Sequence, residues 1–209
     1  MRQEHDSLTK RNEAGNIRKR KKILVLTQRV TTEYNYFRGF RVRVARLKTP
    51  NVKDLIHAAV KKIKELERFD GKYDVVWCVF DADISSNDKK QIAFVKQAFI
   101  EAKKEGINLA FTNRCFELWI ILHFCVFAKE TLSADEYIVE IERHYRKNGI
   151  ANGKYDKTDD NIYDYLEDRI ESALSNAERL MKNRPDDDYI NEPFVTIQKL
   201  VTELLNNRK

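Results

Sequence analysis

Two carboxylates carry the clearest chemical promise in this chain. Asp81 and Asp83 follow directly on Val75-Val76-Trp77-Cys78-Val79-Phe80, an apolar run without alternation. Such a run reads as a strand buried on both faces, as in a parallel sheet flanked by helices. The two acids then stand at the carboxyl end of a parallel strand, where departing loops diverge and open a crevice for ligands. Aspartates at i and i+2 on a loop can converge on one hard cation such as Mg²⁺, which takes carboxylate, water and phosphate oxygens. The spacing also admits a plainer role, in which Asp81 ends the strand and Asp83 with Ser85 or Ser86 caps the next helix.

A second constellation is Asn113-Arg114-Cys115-Phe116-Glu117-Leu118-Trp119-Ile120-Ile121-Leu122-His123-Phe124. Apart from cysteines, Glu117 and His123 are the titratable side chains in its apolar part, and a buried charge needs a partner. Glu117, just after a strand end, points to the same sheet edge as Asp81 and Asp83. It is either a ligand or base there, or the structural partner of an arginine. His123 lies about 9 Å farther along a helix axis and is rotated by roughly 120°. That separates it from Glu117 and suits a core histidine satisfied by a backbone group.

Cations form two clusters, an N-terminal arm (Lys10, Arg11 and Arg18 to Lys22) and the group Arg38, Arg41, Arg43, Arg46 and Lys48. Either cluster could track a phosphate backbone. The alternatives are a solubilising tail for the arm and, for the second group, an edge strand guarded against sheet pairing.

The elements that must position these groups follow from the rest of the chain. With 209 residues, 34% charged and 42% apolar, and only 6 Gly and 3 Pro, it reads as a helix-rich globular protein. The apolar stretch Phe116 to Ala128 is interrupted by Glu117 and His123, so no membrane span is expected, and the polar start shows no signal peptide. Cys78, Cys115 and Cys125 lack CxxC spacing and suit a reducing cytoplasm. Strands are expected at 23–26, 40–46, 75–80 and 107–111. Helices are expected from Thr32, over 51–68, from Asn87 or Asp88 to Gly106, and over 115–127. The alternation of strands and helices predicts a three-layer α/β core with a mostly parallel sheet. Beyond Lys129 only helices are expected, over 133–146, 161–182 and 196–206. Their apolar stripes fit either a docked partner, a second copy of the chain included, or the sheet itself.

Ile23-Leu24-Val25-Leu26 followed by Thr32-Glu33-Tyr34-Asn35-Tyr36-Phe37, the Val79-Phe80-Asp81-Ala82-Asp83 strand end and the Asn113 to Phe124 motif together resemble the RloB-like family. Tyr155-Asp156-Lys157 and Asn191-Glu192-Pro193 fit the same pattern, so the resemblance covers the chain from about residue 20 onward. It implies a TOPRIM-like fold, an origin in phage-defence and abortive-infection loci, and an ATPase encoded in the same locus. In such folds a glutamate after the first strand and a DxD pair hold Mg²⁺ or Mn²⁺ for phosphodiester chemistry. Asp81 and Asp83 match the DxD pair, and Glu33, Asn113, Phe116, Glu117 and Trp119 match motif positions. One position departs: Gln28-Arg29 stands where the family has Glu-Gly. A glutamine offers a carbonyl oxygen but no negative charge. Either Glu33 or Glu117 takes that place, or metal binding is weak and hydrolysis is lost.

The expectations are therefore a basic arm (1–20), a TOPRIM-like α/β core (21–128) and a helical part packed on it (129–209). The function implied is a metal-dependent nuclease with Asp81 and Asp83 as metal ligands, Glu33 and Glu117 as catalytic acids, and Arg29, Arg38, Arg41 and Arg43 binding RNA or DNA. The rival is a catalytically inactive sensor or adaptor that binds the ATPase partner.

Overall fold

The computed structural model describes residues 20–28, 31–85, 87–129, 132–185 and 188–208. In chain order the elements are β1 (Ile23–Thr27), α1 (Thr32–Arg38), β2 (Arg43–Arg46), α2 (Leu55–Asp70), β3 (Val75–Asp81), α3 (Lys89–Glu105) and β4 (Asn108–Asn113). They are followed by α4 (Glu117–Leu122), α5 (Ala134–Asn148), α6 (Ile162–Leu166), α7 (Ile170–Met181), β5 (Phe194–Val195) and α8 (Ile197–Arg208). The sheet order is β2-β1-β3-β4-β5, with the first four strands parallel and β5 antiparallel to β4.

Strand alternation divides the core in two. Ile23 and Val25 of β1 and Trp77 and Val79 of β3 join the apolar cluster that also holds the buried residues of α1 and α4 to α8. Leu24 and Leu26, with Cys78 and Phe80, face the opposite cluster under α2 and α3. Leu24, Val25 and Leu26 are fully buried, each worth about 1.5 to 3 kcal/mol of hydrophobic stabilisation. Sheet and two helical layers make the expected TOPRIM-like α/β architecture.

Local chemistry sets the helix ends. Asp88, not Asp83 or Ser85, caps α3 by accepting from Gln91 N at 2.9 Å, which removes the capping role considered for Asp83. The αL residue Gly106 ends the same helix. Ser133 and Glu136 form a reciprocal capping box at the start of α5.

Four expectations change. β2 is shorter than 40–46, because Phe40 is buried in a turn and Arg41, at φ 58°, lies in that turn rather than on a strand. α4 stops at Leu122 rather than 127, and there backbone N–H groups of the following turn and two side chains meet its last carbonyls. His123 Nδ1 lies 2.9 Å from Trp119 O, and Asn176 Nδ2 donates to Leu122 O at 2.8 Å. The helix expected over 161–182 breaks at Glu167–Arg169, so that α6 packs on α1 while α7 packs on α4. The C-terminal part also returns one short strand, β5, to the sheet. Among the described residues no helix is long and apolar enough to cross a membrane, and the three cysteines are free thiols.

Candidate active site

At the carboxyl edge of the sheet β3 runs into Asp81-Ala82-Asp83. Val79 belongs to the cluster on the α1 and α4 side and Phe80 to the other, so the strand period places Asp81 on the α1 and α4 side. The Thr112 hydroxyl of β4 donates to Asp81 Oδ1 at 3.2 Å. The chain then bends, with Asp83 at φ 44°. Asn113, fully buried, holds this bend: its Oδ1 accepts from Ile84 N at 2.8 Å. Its Nδ2 donates to the carbonyls of Tyr189 and Ile190 at 3.1 and 3.2 Å. One carboxamide therefore fixes both the Asp83 loop and the segment leading to β5.

Glu33 at the start of α1, Asp81, Asp83 and Glu117 at the start of α4 line one cleft of about 410 Å³, together with Arg114, Cys115 and Lys157. Lys157 Nζ lies 2.8 Å from Glu117 Oε1, and the Tyr155 hydroxyl donates to the same oxygen at 3.2 Å. The loop that carries Lys157 is tied to α1. Thr32 Oγ1 donates to Lys157 O, and Asn35 Nδ2 donates to the carbonyls of Thr158 and Asp159. Arg114 spans the other wall, with Nε 3.7 Å from Asp83 Oδ1 and Nη2 3.3 Å from Glu192 Oε1.

The electrostatics follow from this packing. Burial alone pulls the Lys157 ammonium toward neutrality, but the hydrogen bond and charge of Glu117, helped by Asp81, more than offset it, and its pKa rises. Burial pushes the Cys115 thiol up, and the carboxylates of Glu117 and Asp81 push it further. Cys115 therefore stays protonated and supplies no thiolate nucleophile.

The remaining sequence-predicted positions lie elsewhere. Gln28 is buried and does not line the cleft. Thr27 pairs with Val79, so the strand parity that puts Asp81 on the cleft side puts Gln28 on the other face. Arg38, Arg41 and Arg43 line a separate groove at the opposite edge of the sheet. His123 is buried at the α1–α4 contact, with Nδ1 at the Trp119 carbonyl and Nε2 3.1 Å from the Tyr36 hydroxyl. Burial lowers its pKa to about 4, so it is neutral at pH 7. Trp119 is a core residue beside it, and Phe116, buried against Tyr36, also lines the cleft. Arg29 and the arm up to Lys19 lie outside the described residues. Arg114 and Lys157, which line the cleft, and Tyr155, which donates to Glu117, were given no role by sequence reasoning. The only signal for Lys157 was its place in the Tyr155-Asp156-Lys157 motif.

The model of the RloB-like protein family matches residues 23–204. The chain belongs to the RloB-like family. The matched span contains every residue of the cleft in this RloB-like protein. No curated protein matches the chain.

The family implies Mg²⁺ or Mn²⁺, and the donor chemistry of the cleft suits such a hard ion. The acids that line it, Glu33, Asp81, Asp83 and Glu117, are all oxygen donors. Among the described residues no three His, Cys, Asp or Glu side chains form a ready-made metal group. A site here would therefore draw on at most two of the carboxylates, with the rest of the shell left to water and phosphate oxygens.

Proposed function

We propose that this RloB-like protein is a metal-dependent nucleic-acid phosphodiesterase of an anti-phage defence system, acting with an ATPase encoded in the same locus. The observation that carries the reading is the gathering of Glu33, Asp81, Asp83 and Glu117 with Lys157 and Arg114 around one cleft at the carboxyl edge of the sheet. Asp81 and Asp83 would hold Mg²⁺ or Mn²⁺, with Glu33 as a base. When bound, the ion supplies Lewis acidity toward phosphate oxygens and activation of water. Lys157 and Arg114 bind and orient the phosphate as fixed cations. Glu117, held by Lys157 and Tyr155, keeps the lysine charged and aimed into the cleft.

The test is cleavage of labelled tRNA and DNA with Mg²⁺ or Mn²⁺, with and without the ATPase. Wild type should cleave at least one of them, and the Asp81→Ala, Asp83→Ala double variant should lose at least about 100-fold in rate. A second reading, an inactive sensor or adaptor for the ATPase, draws on the fact that Lys157 and Arg114 already pair with Glu117 and Asp83. Equal inactivity of wild type and double variant on every substrate, with ATPase binding retained, would select that reading.

A further inference from the structure

The parallel strands begin at the opposite edge of the sheet, and there a second concavity opens, about 800 Å³ in volume. Among the described residues its walls carry seven cations, the run Arg20–Lys22 together with Arg38, Arg41, Arg43 and Arg208, against two carboxylates. Two of these cations form ion pairs in which the arginine is exposed. Arg38 meets Asp160 at 3.4 Å and Arg43 meets Asp70 at 3.2 Å, with the arginine side chains 55% and 54% exposed. Such pairs exchange readily for another anion.

Helix α1 connects this groove to the acidic cleft. Thr32 and Glu33 line the cleft, and Arg38 lines the groove. Between them stands Tyr34, with the Arg46 guanidinium 3.7 Å and the Arg38 guanidinium 5.6 Å from its ring centre. Arg46 and Arg38 therefore place guanidinium groups beside α1 between the groove and the acids. That favours a polyanion that must also present a diester to the cleft over an acidic protein surface, which would gain nothing from this track.

The spacing sets a length. Seven helical residues rise about 10 Å, and the strand from the level of Ile23, in the groove, to Asp81 rises about 20 Å. Phosphates along one strand of a duplex advance about 3.4 Å each, so cleft and groove stand roughly three to six phosphates apart.

We propose that the groove anchors the phosphate backbone of a nucleic acid whose strand enters the acidic cleft some three to six nucleotides away. The proposal rests on the phosphodiesterase reading for what happens in the cleft, but the anchoring can be read separately. The experiment measures fluorescence anisotropy of single-stranded and duplex RNA and DNA on full-length Asp81→Asn protein, so that cleavage does not intervene. Strands of about four, eight and sixteen nucleotides bracket the span, over a series of salt concentrations.

Affinity should rise steeply between the shortest and the middle length. Arg41→Glu with Arg43→Glu should weaken the longer strands at least tenfold and lower the salt slope by about 1.4 for single strands or 1.8 for duplex. Arg41→Lys should retain binding, and the melting curve of each variant shows that it is folded. RNA against DNA in the same series distinguishes the source of the phosphates. Equal binding by the parent and the double reversal, no dependence on length, or preference for poly-glutamate over every oligonucleotide would overturn the proposal. Length-dependent binding that the double reversal abolishes, in a protein whose wild type cleaves nothing, would keep the anchor and remove the phosphodiesterase reading.

Discussion

The two edges of the sheet hold charges of both signs, but in different solvent. At the carboxyl edge the Glu117 side chain is 5% exposed and its partner Lys157 41%. At the amino edge Arg43 and Asp70 are 54% and 29% exposed, and Arg38 and Asp160 55% and 75%. A nearly buried carboxylate holds its cation in one place, because losing that cation leaves a charge stranded away from water. Exposed pairs are screened and exchangeable, which leaves the cations free to meet an incoming anion. The same pairing chemistry thus fixes geometry at one edge and supplies an available charge at the other.

Substitutions can break or sharpen that contrast. The largest effect should come from Asn113→Ala, which removes three hydrogen bonds at a fully buried position of the carboxyl edge. Denaturant unfolding should show a loss of about 3 to 5 kcal/mol, given 1 to 3 for each group left unsatisfied and partial relaxation.

Next comes His123, where α1 crosses α4 between the edges. Its folded-state pKa of about 4 lies below the ordinary 6.5, so the unfolded chain binds the proton more tightly. The stabilisation is therefore complete above pH 6.5 and is lost as pH falls toward 4, by an amount of order 3 kcal/mol. Thermal melts across that window should show the fall, and His123→Gln should flatten it.

Lys157→Met should cost roughly 2 kcal/mol, below the range for a fully buried pair because the lysine is partly exposed. Adding Glu117→Gln should restore most of it in a double-mutant cycle. Smallest of all, Arg38→Ala and Arg43→Ala should each stay within about 0.5 kcal/mol. An Arg43→Ala variant as unstable as Lys157→Met would erase the contrast between the edges.

Features with a local signature were legible in the sequence. The strands Ile23–Thr27 and Val75–Asp81 show as apolar runs, and α2 and α3 show as helical stripes. Glu33, Asp81, Asp83 and Glu117 were named from their types and motif positions, and the fold brings all four to one cleft. What escaped depended on partners distant in sequence. Phe194-Val195 is too short for any period, and it forms a strand only because Thr112 and Asn113 offer it an edge. The end of α4 is set in part by Asn176, 54 residues away. Lys157 acquires its place from Glu117, Thr32 and Asn35, none of them near it in sequence. Gln28 was singled out because it stands where the family has a glutamate, and the face it occupies follows from strand parity rather than from the motif. Arg38, Arg41 and Arg43 were legible as a cation cluster, but charge alone carries no information about which edge of a sheet it occupies.

The groove has a further consequence, in the timing of synthesis. Its walls draw on Arg20–Lys22 and on Arg208, and the two segments are joined reciprocally. Lys21 N donates to Asn207 Oδ1 at 2.8 Å, and Asn207 Nδ2 donates to Lys21 O at 2.9 Å. These partners are 186 residues apart, which at ribosomal speeds separates their appearance by roughly 10 to 40 s. The residues that line the acidic cleft end at Lys157, so all of them are synthesised before the Asn207 that joins the two ends of the basic wall. Until Asn207 emerges, the growing protein lacks the contact that joins the two ends of the basic wall.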